Sequence, residues 1–367
     1  MSSALLVKGA RRSLAQIRYV TPVPPGSAVG LVADVYAQTE RDCGLLVPPI
    51  ALHSPAPAAL AAAWIMLRET LLAGGTAGRA EKEIVAAAVS RGNACPYCVT
   101  VHTAAARGLN RGPAAVPLAD GRIDAIPDPG LRQLARWARG SGRPQTDRPD
   151  QDTNLPELAA VAVTFHYLNR MVSVFLPASP LPPHLPSVLG GPFMRMLASA
   201  MLSPSPAAGT ALDLLPEASL PAEFSWAAGE PRVAASLARA ATAIDEAGYQ
   251  AVPPAVRELV LDRLNGWDGQ PPGPSRVWAD TAVAGLPAAD RAAGRLALLT
   301  ALAAYQVCPS DVEGLRPRDD KALIGLTSWA SMAAARKIAA WLGAGLRGDG
   351  RPETNHRDPS PNATANA

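Results

Sequence analysis

Apolar positions along the chain fall into blocks with helical spacing. Ala58 to Ala73 carries Leu60, Trp64, Leu67 and Leu71, and Glu81 to Ser90 carries Ile84, Val85, Ala88 and Val89 before closing at Arg91-Gly92-Asn93. Two helices ending at a tight Gly92 turn are predicted there. A third begins at Asn93 or Ala94, with Asn93 supplying a capping side chain, and runs through Cys95, Cys98 and His102 to Gly108. Shorter helices are predicted over Ala28 to Glu40 and Leu131 to Arg139, and longer apolar ones over Pro156 to Leu176, Leu296 to Ala304 and Ala322 to Leu342.

Prolines separate these blocks. Pro177, Pro180, Pro182, Pro183 and Pro186 crowd one ten-residue stretch and predict a semi-rigid connector, so a domain boundary is placed near residue 180. The pattern then recurs weakly. Cys308-Pro309 falls under Cys95-Pro96, Asp311 replaces Cys98, and Leu315 stands where the first copy has His102. The expected organisation is a chemistry-bearing domain over 1–180, a diverged helical copy over 181–345 that has lost its chemistry, and a disordered tail over 346–367.

Composition supports helices throughout. Alanine accounts for 73 of 367 residues, and small side chains let helices approach closely; the fold class expected is all-α. The net charge of +3 comes without basic runs, so neither nucleic acid nor a membrane surface is an expected partner. Met1 to Leu14 has no apolar stretch followed by a small-residue cleavage site, which makes a secretory signal unexpected and a cytoplasmic location the expectation. The apolar runs Ala56 to Leu67 and Leu296 to Tyr305 are shorter than a membrane span requires. Four cysteines, at 43, 95, 98 and 308, are too few and too unevenly spaced for a disulfide scaffold. The close pair among them therefore calls for chemistry or metal.

That pair sits in Cys95-Pro96-Tyr97-Cys98-Val99-Thr100-Val101-His102. At helical period both cysteines and His102 share one stripe. A thiol at a helix N-terminus faces unpaired backbone N–H groups and the positive end of the dipole, which favour thiolate, and an imidazole one turn on can take the proton. Glu81 or Glu83, on the preceding helix, can orient that imidazole, and spacing alone leaves the choice between them open.

The segment resembles the alkylhydroperoxidase D-like, or carboxymuconolactone decarboxylase, group. Its peroxidase branch has a Glu twelve residues before a Cys-x-x-Cys and a His four residues after it, a pattern matched by Glu83, Cys95, Cys98 and His102. The resemblance covers Ala58 to Leu176, with a weak echo beyond. It implies an all-α, alkylhydroperoxidase D-like helical bundle. In it Cys98 attacks the O–O bond, Cys95 resolves the sulfenic acid to a disulfide and assists proton transfer, and His102 relays the proton with Glu83 behind it. No haem, flavin or metal is implied. The implied partners are a small hydroperoxide, together with a dithiol reductant such as a lipoylated protein, or a peroxiredoxin. The two copies would mimic the dimer that single-domain relatives build, and a homo-oligomer stays open. One departure is Tyr97, where peroxidase members often carry a His that supplies a positive neighbour.

Simpler readings stand beside this one. With His102 as third ligand the cysteines form an incomplete zinc site, since structural zinc closes with four. A buried inert pair is a second reading. His166, Asn169 and Arg170 at i, i+3, i+4 read as a satisfied polar patch rather than as catalytic groups. Two other functions also fit: an acid–base decarboxylase or isomerase using His102 and Glu83, and a redox-sensing helical protein without turnover.

Overall fold

The computed structural model describes residues 14–109, 111–144, 149, 154–181, 190–192, 194, 195, 198, 199, 205–315 and 319–347. Residues 1–13 of the N-terminal segment read above, residues 182–186 of the Pro-rich connector and residues 348–367 of the expected tail lie outside the described residues. Every regular element among those described is helical, as alanine content and periodicity predict.

The first helices, α1 (Gly30–Cys43) and α2 (Pro57–Leu67), pack together. Pro57 opens α2, where its missing N–H leaves no orphan and its fixed φ suits a first turn. The apolar run continues as one wide π-helical turn, Arg68–Leu72, and all five of its residues are buried. Such turns recur where side chains must be re-aimed. Here the turn sets Arg68 against Asp42 (2.7 Å) and against Glu69 inside the protein.

α3 (Arg79–Gly92) and α4 (Pro96–Gly108) follow one another and pack together. Glu81 accepts the backbone N–H of Gly78 at 3.0 Å and so closes the start of α3. After α5 (Gly112–Ala119), Asp128 accepts the Leu131 N–H at 2.8 Å and starts α6 (Pro129–Gly140). α7 (Leu155–Phe175) is the central helix and is buried on almost every face. It is long and apolar enough to cross a membrane by length and composition, yet 94% of that stretch is buried inside the protein. Among its apolar residues it carries His166, Asn169 and Arg170, also buried.

Beyond residue 205 come α8 (Pro231–Ala251), α9 (Pro254–Asn265), α10 (Val277–Val283), α11 (Arg291–Ala303), α12 (Pro309–Glu313) and α13 (Asp320–Arg347). α13 continues through Arg347, past the residue where the tail was expected to begin, because its apolar spacing persists through Leu346. α13 packs along α7 and α8, and α8 packs along α2, so helices from both sides of residue 180 share one apolar core. Gly248 makes the α8–α13 approach possible: a Cβ there would lie 2.3 Å from the Trp329 ring.

The two cysteines that align in the sequence have a similar local setting. Cys95 and Cys308 each immediately precede a helix whose first residue is proline. α12 is five residues long where α4 has thirteen. At the Cys98 position, Asp311 is an ion-pair node that holds Arg276 and, at 2.9 Å, Arg295.

Candidate active site

The turn between α3 and α4 creates the site. Cys95 donates its backbone N–H to Ser90 O (2.9 Å) and Ala94 donates to Arg91 O (3.3 Å), the two bonds of a Schellman ending. The left-handed position is Ala94, with φ of 52°, so the tight turn lies two residues after the Gly92 that the sequence suggested. Gly92 serves closeness instead, since a Cβ would lie 2.4 Å from the Arg139 carbonyl at the end of α6. Asn93 does not cap α4. Cys95 is the residue before its first turn, and no side-chain cap bond is made there.

Both cysteines are buried at this N-terminus and near enough for each to shift the other's ionisation. The bond from the Cys98 thiol lowers the Cys95 thiol below its ordinary range, and donation from Ser173 and Asn169 adds to this against the opposing effect of burial. Burial, with the bond to Cys95 and the charge there, pushes Cys98 well up. The pair therefore gives up one proton readily and holds the other. Tyr97, between them, is also buried. Burial and then the two sulfurs push its phenol up, so a neutral group stands where the resemblance has a cation.

Of the two carboxylates left open by spacing, Glu83 is the one that meets the imidazole. Its Oε2 lies 2.7 Å from His102 Nδ1, and its Oε1 receives Arg79 at 2.8 Å. Glu81 is occupied at the Gly78 cap. Burial alone would raise the Glu83 carboxyl, but Arg79 and then His102 outweigh it and hold the group below the usual carboxylate range. His102 lies one helical turn beyond Cys98 on α4, and the Phe165 ring packs edge-on against it at 4.5 Å between centroids.

A second set of side chains was not read as functional from the sequence. Ser141 donates its hydroxyl to Ala138 O (2.7 Å), so its oxygen accepts from His166 Nε2 (2.8 Å). The ring proton then sits on Nε2, and Nδ1 accepts from Asn93 Nδ2 at 3.0 Å. The other Asn93 amide hydrogen goes to Asn169 Oδ1 at 2.9 Å. With its oxygen committed, Asn169 turns its Nδ2 toward Ser90 Oγ (3.0 Å) and toward both sulfurs. The imidazole is kept neutral by burial first and then by Arg170, both of which push its pKa well below the ordinary value. The usable signal in the sequence was the set His166, Asn169, Arg170 and Ser173 on an otherwise apolar helix: steps of three and four put them on one face.

Among the described residues no three His, Cys, Asp or Glu side chains converge as metal ligands. Cys43 is buried, and its thiol is pushed up to about 12 by that burial; Cys308 receives a hydrogen bond from Arg276 at 2.9 Å.

A model of the carboxymuconolactone decarboxylase family matches residues 58–116, from the first turn of α2 into α5. Over 340 residues the chain is 36% identical to the Mycobacterium tuberculosis protein named alkyl hydroperoxide reductase Rv2159c. That match spans 90% of this chain and 96% of the relative, and so extends well past the family-matched segment.

Proposed function

The chain belongs to the carboxymuconolactone decarboxylase family, in its alkylhydroperoxidase D-like branch, and from that membership we propose that it is a thiol-dependent peroxidase that reduces hydroperoxides through Cys95 and Cys98. The observation that carries the reading is the buried pair of neighbouring thiols at the opening of α4, in which the Cys95 thiol is lowered and a second thiol stands beside it. The name of the M. tuberculosis relative supports the same activity class.

In the proposed cycle the Cys98 proton passes along the shared bond to Cys95, leaving Cys98 as nucleophile. Cys98 attacks the outer peroxide oxygen; the O–O bond breaks, and the sulfur becomes a sulfenic acid. The departing alkoxide takes a proton from the His102 imidazolium, which carries the proton first released by the thiol pair and is held in place by the Glu83 carboxylate. Cys95 then gives its proton back to His102 and attacks the Cys98 sulfur. Hydroxide leaves, takes that proton and departs as water. One hydroperoxide and two thiol-level electrons give one alcohol, one water and one disulfide. A dithiol, free or as a lipoyl group on a protein, or a peroxiredoxin partner, closes the cycle by thiol–disulfide exchange. A cytoplasmic setting, where such reductants stay reduced, is part of the proposal. The cycle uses no haem, flavin or metal.

The Glu83–His102 pair also suits the acid–base chemistry of the family's decarboxylases. Reaction of the reduced protein with one equivalent of hydrogen peroxide, followed by thiol counting, separates the two. The peroxidase reading requires loss of two thiols per chain, and sustained turnover with dihydrolipoamide. Intact thiols would return the chain to acid–base chemistry.

A further inference from the structure

Beside the turn that leads into Cys95 lies a cavity of ≈ 610 Å³, lined by the end of α3, the end of α6, α7 and the end of α11. Its lining is unusually cationic, with Arg91, Arg136, Arg139, Arg143 and Arg170 set against a single carboxylate, Asp124. Asp124 is already paired with Arg136 at 2.6 Å. Among the described residues Arg139 makes no ion pair, and Arg91 donates to the Ala119 carbonyl (3.0 Å) rather than to an acid.

Arg170 is the informative member. It is buried on α7, and its guanidinium donates to Ala301 O (2.9 Å) and His166 O (2.6 Å), both neutral carbonyls. The Trp267 ring lies beside it at 5.9 Å. Burial without a compensating carboxylate brings its pKa down to about 10. A buried cation with only neutral partners on a cavity wall is short of a counter-charge, and a bound carboxylate would supply one through paired N–H donors. The apolar part of the wall comes from Leu302, Ile338 and the ring of Trp267. Asn169 and Ser173, the two polar neighbours that lower the Cys95 thiol, also line the cavity.

We propose that this cavity is the site for a small organic substrate carrying a carboxylate head, held by Arg170 with Arg139, whose reactive end passes Asn169 and Ser173 to the sulfur pair. The inference rests on the peroxidase reading for the identity of that reactive end. One chemistry then has two sources: a carboxylate-bearing hydroperoxide, or a carboxylate-bearing dithiol that meets the oxidised pair at Cys95.

Matched probes that differ only in charge test it. Calorimetry on the reduced full-length protein compares the unreactive 4-(2-hydroxypropan-2-yl)benzoate with its carboxamide. The carboxylate is expected to bind about tenfold more tightly or better, the size of one charge-assisted hydrogen bond. Arg139→Gln and Arg170→Gln are each expected to remove most of that difference. Arg139 is exposed, so its variant keeps the test open if Arg170→Gln fails to fold. Kinetics then identify the source. A preference in kcat/KM for 4-(2-hydroperoxypropan-2-yl)benzoate over cumene hydroperoxide assigns the cavity to the oxidant, and a preference for dihydrolipoate over dihydrolipoamide assigns it to the reductant. Equal affinity of carboxylate and carboxamide overturns the proposal, as does the absence of charge preference in both half-reactions. Carboxylate-selective binding without turnover of any peroxide would instead overturn the peroxidase reading and leave the anion site standing.

Discussion

Asn93 fixes the orientation of Asn169. Its Nδ2 donates to the Asn169 Oδ1 at 2.9 Å, and this leaves only N–H groups of Asn169 to face Ser90 and the two sulfurs. Donation to a thiolate favours the ionised pair. Asn169→Leu is expected to raise the pH at which the first thiol ionises by about one to two units, since a hydrogen bond to a charged group is worth roughly 1.5–3 kcal/mol. Asn93→Ala is expected to shift it the same way by less. The pH dependence of thiolate absorbance, or of alkylation rate, reads both; an unmoved ionisation in Asn169→Leu would detach the amide network from the sulfurs.

The order of the sulfurs is testable by trapping. In Cys95→Ser, one equivalent of hydroperoxide is expected to leave a stable sulfenic acid on Cys98 that a dimedone probe captures in the mass spectrum. In Cys98→Ser, capture on Cys95 is expected to be at least tenfold slower. The reverse pattern would exchange the two roles, a real alternative given that resting charge favours Cys95.

Glu83 is a buried carboxylate held ionised by Arg79 and His102. Glu83→Gln removes the charge that pairs with both Arg79 and His102, and is expected to cost about 1–3 kcal/mol of stability in denaturant titration. Its folded pKa lies below the unfolded one, so its contribution is full above about pH 4.3 and is lost as pH falls through the folded value. The variant's pH–stability curve is expected to be flatter than the wild type's below that point. Peroxide turnover, measured at a pH where the variant is folded, is expected to fall at least tenfold, the low end of what a positioned proton carrier supplies.

Histidine governs a higher window. Burial lowers His53 from 6.5 to about 4 and lowers His166 well below its ordinary value. A histidine whose folded pKa is depressed contributes stability that is complete above pH 6.5 and is lost as pH falls toward the folded pKa. For His53 this amounts to roughly 3 kcal/mol between pH 6.5 and pH 4. Replacing it with Gln, which keeps a group able to accept from the Tyr167 hydroxyl now 3.0 Å from Nε2, is expected to reduce the acid slope. An unchanged slope would place the acid sensitivity elsewhere.

Backbone strain gives a gain rather than a loss. Ala94 holds φ at 52°, a region that costs an L-residue about 1–2 kcal/mol and glycine little. Ala94→Gly is expected to stabilise the protein by about 1 kcal/mol, allowing for the extra freedom of glycine in the unfolded chain. Gly92→Ala is expected to destabilise it, because the new methyl would meet the Arg139 carbonyl. Midpoints of chemical unfolding decide both.

The helices, and the meeting of Glu83 with His102 and of Cys95 with Cys98, were legible in the sequence because both depend on spacing. Leu60, Trp64, Leu67 and Leu71 announce α2 and its π-turn, and the interval from Glu83 to Cys95 survives as a turn that sets α4 against α3. The amide network was not legible, for a physical reason. Asn93 sits where a helix start favours just such a side chain, so the local explanation satisfied the residue before its distant one could be considered. Its partners His166 and Asn169 are more than seventy residues away. The arginine cavity was hidden for a related reason. Its charges come from α3, α6, α7 and the segment after α6, so no run of basic residues marks it.

Arg232, at the start of α8, reaches Glu157 on α7 and lies 3.8 Å from Glu69 on the π-turn, while Lys82 of α3 stands 3.5 Å from Glu157. Both acids are fully enclosed, and beside their own cations, Arg68 for Glu69 and Lys82 for Glu157, they share this guanidinium from the other half of the polypeptide. Expressing the thiol-bearing portion by itself would strip Arg232 from this cluster and bare the apolar faces of α2 and α7 that α8 and α13 cover. A truncated version is therefore expected to come out of the cell insoluble, and adding the missing portion in trans is the way to rescue it.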